Sequence, residues 1–139
     1  MLELVYILRA VVEEVACGGG GGEGQKCGKP VPPIEFSELE HLVFDVLWRE
    51  ERVAIYATVW EVRRELERLA DLGFIEFEAD EVRIENPDEF LKRTEPYLLI
   101  IRNLVGSNKY LDHVLRRIGD CARRYAADNI KRGIAPQPV

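Results

Sequence analysis

Small hydroxyl and amide side chains are scarce in this chain. Serine occurs only at Ser37 and Ser107, threonine at Thr58 and Thr94, and glutamine at Gln25 and Gln137, in 139 residues. Glutamate and arginine fill the polar positions instead. That balance suits a thermophile, where ion-pair networks are favoured and labile amides are few. Long hydrophobic runs are missing too. The most apolar stretch, residues 1–16, is interrupted by Glu3, Arg9, Glu13 and Glu14, and it is shorter than the ~20 apolar residues a membrane helix requires. It also lacks a positively charged start, so no secretory signal is expected and the cytoplasm is the expected location. Cysteine is limited to Cys17, Cys27 and Cys121. An odd count without a secretory signal argues against a disulfide framework. A Cys17–Cys27 bridge stays open as the alternative, because hyperthermophiles keep intracellular disulfides. Positive charge is short overall. A formal net charge of −6 excludes a uniformly basic nucleic-acid binder.

The chain is 47% hydrophobic and 32% charged, enough apolar material for one packed domain. Residues 1–16 read as an amphipathic helix, with the four charged residues on one side. It is too apolar to stand alone, so it is expected to dock on a C-terminal helix of this chain or of a second copy. Residues 17–36 are glycine-rich and then proline-rich, which predicts a linker. A phosphate-binding loop fails here. Gly28-Lys29 has Glu23 where the motif needs glycine, and Pro30 where it needs serine or threonine. No metal is expected at Cys17 and Cys27, whose spacing is too wide for a zinc pair and which have no histidine nearby.

From Ser37 the pattern becomes regular. Ser37 with Glu40 has the spacing of a capping box, followed by Leu39, Leu42, Val43, Val46 and Leu47 at helical intervals. Residues 52–57 are β-prone. Thr58 with Glu61 predicts a second capping box and a helix to about Leu72, with Gly73 as its terminator. Residues 74–78 and 81–85 alternate apolar and charged positions around Ala79-Asp80, a two-stranded hairpin. Residues 87–132 form a C-terminal helical region, in which Pro96 is expected to kink or divide the first helix. The second helix carries Leu111, Val114, Leu115, Ile118, Cys121, Ala122 and Tyr125 as its buried stripe. Residues 133–139 read as a frayed tail. The expected fold is mainly α with one β-hairpin.

The run TVWEVRRELERLADLGFIEFEADEVRIE resembles the recognition helix and wing of winged helix-turn-helix domains, as in small archaeal transcriptional regulators. The resemblance covers about residues 37–86. It implies a winged-helix-like core flanked by an N-terminal helix and two C-terminal helices, and a non-enzymatic, dimeric, DNA-binding regulator of transcription with no cofactor. In that family the helix matching 59–72 enters the major groove and the hairpin lies against the DNA backbone or minor groove. A complete helix normally separates the first and recognition helices. Here only residues 52–58 intervene, so the second helix is expected to be absent, reduced to one turn, or borrowed from 37–50.

The resemblance makes Trp60, Arg63, Arg64 and Arg68 the candidate groove contacts. Trp60 fits either a partner contact or a lid on the hairpin. Arg64 and Arg68 fit either DNA or ion pairs with neighbouring glutamates. Charge divides unevenly along the chain. Residues 37–95 hold seventeen acids and eight bases, whereas residues 96–139 hold three acids and eight bases. In the last helix Arg116, Arg117, Arg123 and Arg124 share one sector with Lys109. Three readings fit that sector: a track for nucleic-acid phosphates, a partner for the acidic 37–95 region of this chain or a symmetry mate, or a solvated face. The alternative function is a winged-helix protein-interaction subunit that binds through Trp60 and the acidic surface. Neither His41 nor His113 has a nucleophile in view, so no catalytic set is expected. Cys121, within the apolar stripe, reads as a small buried hydrophobe.

Overall fold

A computed structural model describes residues 2–17, 28–106 and 108–130. The fold is mainly helical with a small antiparallel sheet. Helix α1 (Leu2–Ala16) is followed by strand β1 (Ile34–Glu35) and helix α2 (Phe36–Glu40). The chain continues directly from α2 as a π-helix, His41–Glu50. Its last turn shows the wider spacing, Glu51 N–H donating to the Val46 carbonyl five residues back, at 3.0 Å. Then come α3 (Val59–Asp71), β2 (Glu76–Glu78), β3 (Glu81–Arg83), α4 (Pro87–Val105) and α5 (Lys109–Tyr125), which ends in a π-helical turn, Ala126–Ile130. The sheet order is β1-β3-β2, with Ile34 opposite Val82 and Phe77 opposite Val82.

Helix α1 is the centre of the molecule. Leu4, Val5, Ile7, Leu8, Val11 and Val12 are wholly buried. A helix that is apolar on nearly every side must be covered on nearly every side. Here α3, α4, α5 and the Ala126–Ile130 turn supply the cover. The expected docking on a C-terminal helix therefore occurs within one chain. Arg9, grouped with the other charges on one side of the helix, is only 8% exposed. Its Nη1 donates to the Leu91 carbonyl at 2.6 Å and to Thr94 Oγ1 at 2.7 Å, pinning α1 to α4.

Other local expectations meet different outcomes. The Ser37–Glu40 capping box does not form. The N-cap is Glu35, with no side-chain cap bond, and Ser37 Oγ donates to Glu35 Oε2. The reason lies one residue earlier. Ile34-Glu35 is held in the sheet, and the Phe36 N–H donates to the Asp80 carbonyl at 2.7 Å, so the chain passes from strand straight into helix. This strand falls in the stretch expected to be linker. Residues 52–57 stay irregular instead of forming a strand. The Thr58 cap does form, Oγ1 accepting from Glu61 N–H at 3.3 Å.

Helix α3 ends in a Schellman motif. Gly73 has φ +81°, its N–H donates to Ala70 O, and Phe74 N–H donates to Leu69 O. Arg93 of α4 closes that end, with Nη1 donating to the Gly73 carbonyl at 2.8 Å. The hairpin turn places both Ala79 (φ 52°) and Asp80 (φ 58°) in the left-handed region, as a type I′ turn requires. Pro96 does not divide α4, which runs unbroken from its Asn86 cap.

The buried stripe of α5 is only half buried. Ile118, Cys121 and Ala122 are in the core, but Leu111 is 41% exposed, and Val114 and Leu115 are partly exposed. Cys17 is disulfide-bonded, whereas Cys121 is free and buried. Cys27, the considered partner of Cys17, lies outside the described residues, as do most of the glycine run and the tail from 131 onward. Among the described residues no helix is long and apolar enough to cross a membrane, and no cluster of potential metal ligands occurs.

Candidate interaction surface

Helix α3 buries Val62, Leu66 and Leu69 and turns its opposite side to solvent. That outward side carries Trp60, Arg64, Glu67, Arg68 and Asp71. Trp60 is 74% exposed, so it is not a lid on the hairpin. Arg64 is exposed and makes no ion pair among the described residues. Arg68 lies 3.6 Å from Glu65.

Arg63 is not on this surface as a free cation. Its guanidinium sits 4.4 Å above the Phe36 ring and its Nη1 donates to Asp80 Oδ1 at 2.8 Å. It joins α3 to the start of α2 and the tip of the hairpin, a packing role in which charge, stacking and hydrogen bond are all used within the chain.

Beside α3 stands the hairpin. Its exposed or half-exposed side chains include Glu76, Glu78, Asp80, Glu81 and Glu85, against Arg83 alone as a cation. Val82 and Ile84 point inward and are buried. Strand alternation therefore places nearly all of the hairpin's acids in solvent.

The α5 arginines are largely committed elsewhere. Arg117 Nη2 donates to Glu51 Oε2 at 2.8 Å and to the Glu51 carbonyl at 2.7 Å, clamping α5 to the end of the π-helix. This bond from Arg117 holds the Glu51 carboxyl below its usual range. Arg123 lies 3.5 Å from Glu13 of α1 and 3.6 Å from Asp120. Arg116 pairs with Asp112 at 3.1 Å. Arg124 is exposed, without an ion pair among the described residues. Of the three readings of this helix, partnership with the acidic 37–95 region of the same chain describes Arg117, whereas Arg123 pairs with Glu13 and Asp120 outside it.

The structure thus places Trp60, Arg64 and Arg68 on the solvent side of α3, the helix that precedes the acidic hairpin. It places Arg63 behind that surface and Arg116, Arg117, Arg123 and Arg124 on a separate helix. The acidity of the hairpin was visible in the alternation of residues 74–85. The packing of Arg63 was not, because it depends on Phe36 and Asp80 meeting through β1. Comparison of the chain with protein-family models, curated proteins and solved structures gave no match.

Proposed function

We propose that this chain is a winged-helix module that binds a basic protein partner, as a non-enzymatic subunit of a larger assembly. The element order α1–β1–α2–α3–β2–β3, with β3 central in the sheet, supports the winged-helix part of the reading. When α1 counts as the first helix, the complete helix wanted before the recognition helix is α2 with its π-helical extension. In that frame α3 is the recognition helix and β2–β3 the wing.

The observation that carries the protein-binding part is the charge of the wing. A hairpin whose five solvent-facing acids are offset only by Arg83 and by Arg63, paired with Asp80, keeps a net negative charge and repels phosphate, the group that supplies most nucleic-acid affinity. The same hairpin attracts cationic side chains, and Trp60, exposed in the first turn of α3, offers a large apolar anchor of the kind that dominates protein interfaces. A lysine- and arginine-rich amphipathic peptide should shift Trp60 emission to the blue at low salt. Glu76→Lys with Glu78→Lys should abolish the shift. An unchanged response in that double variant would overturn the reading.

Arg64 favours a second reading, a DNA-binding regulator in which Arg64 and Arg68 approach a groove. In either reading, self-association is proposed through α4 and α5 rather than α1, whose apolar surface is already buried. Leu99, Ile100, Leu104 and Tyr110 are all exposed, and Leu104 lines a groove of about 330 Å³ together with Leu111 and Val114.

A further inference from the structure

Three helices each turn one polar edge toward a common cavity of about 380 Å³. Tyr6, Arg9 and Glu13 come from α1, Arg102 from α4, and Asp112, Arg116 and Arg123 from α5. On each helix the contributing residues fall at spacings of three, four or seven, so they share a face. The volume lies within the range of small-molecule sites. None of the lining residues belongs to α3 or the hairpin, so the cavity is separate from the outward side of α3 and from the wing.

The charges do not cancel. Four guanidinium groups face two carboxylates. Asp112 is matched by Arg116, Glu13 is matched by Arg123 at 3.5 Å, with Arg9 at 3.9 Å, and Arg123 also lies 3.6 Å from Asp120, which does not line the cavity. Arg102 has no ion pair among the described residues and adds to the positive potential at Arg9. Glu95 also acts on Arg9, in the opposite sense, but does not line the cavity. Arg9 is 8% exposed, and its Nε is buried without a hydrogen-bond partner. A buried guanidinium with an unused donor is costly unless something accepts from it. Arg123 also interacts with the Tyr6 hydroxyl, which places a further polar group at the same wall.

We propose that this cavity binds a small multivalent oxyanion, the phosphoryl group of a small molecule, with Arg9 and Arg102 as its principal contacts. A tetrahedral dianion accepts from cations arriving from several directions, whereas a planar carboxylate is satisfied by one forked guanidinium. Arginines from three helices suit the former. Binding would also fill the gap between α4 and α5, tying both to α1.

The test is calorimetric titration of the full chain with inorganic pyrophosphate, at constant ionic strength set with chloride. Saturable binding is expected. Arg102→Gln, an exposed position whose loss leaves the core intact, should weaken it by about tenfold or more, the effect of one charge-assisted bond. Arg64→Gln, on α3, should leave it unchanged. Arg9→Lys keeps the charge but loses the fork, and should weaken binding while the fold is retained by circular dichroism. Absence of saturable heat, or equal loss in the Arg64 and Arg102 variants, would overturn the proposal.

Discussion

Arg9 shows how one side chain connects the elements. It lies in the most apolar helix, and its charge suggests a solvent position, yet its guanidinium is buried against α4. Burial lowers its pKa, and the bonds to Leu91 O and Thr94 Oγ1 compensate in part. Thr94 is itself wholly buried and donates to the Phe90 carbonyl at 2.7 Å. Thr94→Val should therefore strand one donor of Arg9 and cost about 1–3 kcal/mol in urea unfolding. Leu8→Ala, at a fully buried position, should cost about 2–5 kcal/mol by the same measurement. Glu51 gives the pH dependence. Its folded pKa is depressed by Arg117, so its contribution is complete above the ordinary value of 4.5 and is lost as pH falls through the depressed value. Arg117→Met should flatten the acid limb of a Tm-against-pH curve and leave its shape above pH 5 unchanged. Sequence reading could not place Arg9, because nothing in a helical wheel distinguishes a charge facing water from one facing a carbonyl on another helix.

At the scale of elements, local signals succeeded where the bonds they describe are local. The Thr58 cap, the Gly73 terminator and the Ala79-Asp80 turn depend on residues within a few positions of each other, and all three form. The Ser37 box has the same local pattern and fails, because a long-range strand pairing with β3 takes the preceding residues. The two sites therefore separate in mutagenesis. Thr58→Ala should cost about 1 kcal/mol, and Ser37→Ala should stay within about 0.5 kcal/mol. Gly73→Ala has room for its methyl group, the nearest atom being Arg93 Nη2 at 3.7 Å. Its cost is the left-handed backbone alone, about 1–2 kcal/mol. Helix α1 itself was legible, but strand β1 and the place of both in the proposed winged helix were not. A glycine- and proline-rich run separates α1 from the rest in sequence, and a two-residue strand has no periodicity to detect. Pairing of Ile34 with Val82 brings β1 into the same core as the hairpin, and the packing of α1 against α3, α4 and α5 does the same for α1.

For the whole molecule, the fold class was readable from periodicity, but the distribution of charge on its surfaces was not. The segment totals locate an acidic middle and a basic end. They do not show that Arg117 and Arg123 are used inside the chain, or that Arg63 is stacked beneath the surface. They also do not show that the first half of α5 stays exposed beside Leu104. If that exposure serves self-association, sedimentation should report a dimer, and Leu104→Glu should yield a monomer with unchanged helical content. The central claim concerns what the α3–hairpin surface meets. The most direct measurement is fluorescence anisotropy of a labelled random-sequence DNA duplex titrated with the full chain at low salt, about 50 mM, where phosphate contacts are strongest. A flat anisotropy is predicted, because the acidic wing opposes the duplex. A saturable rise that falls steeply with added salt and disappears in Arg64→Glu would contradict the account.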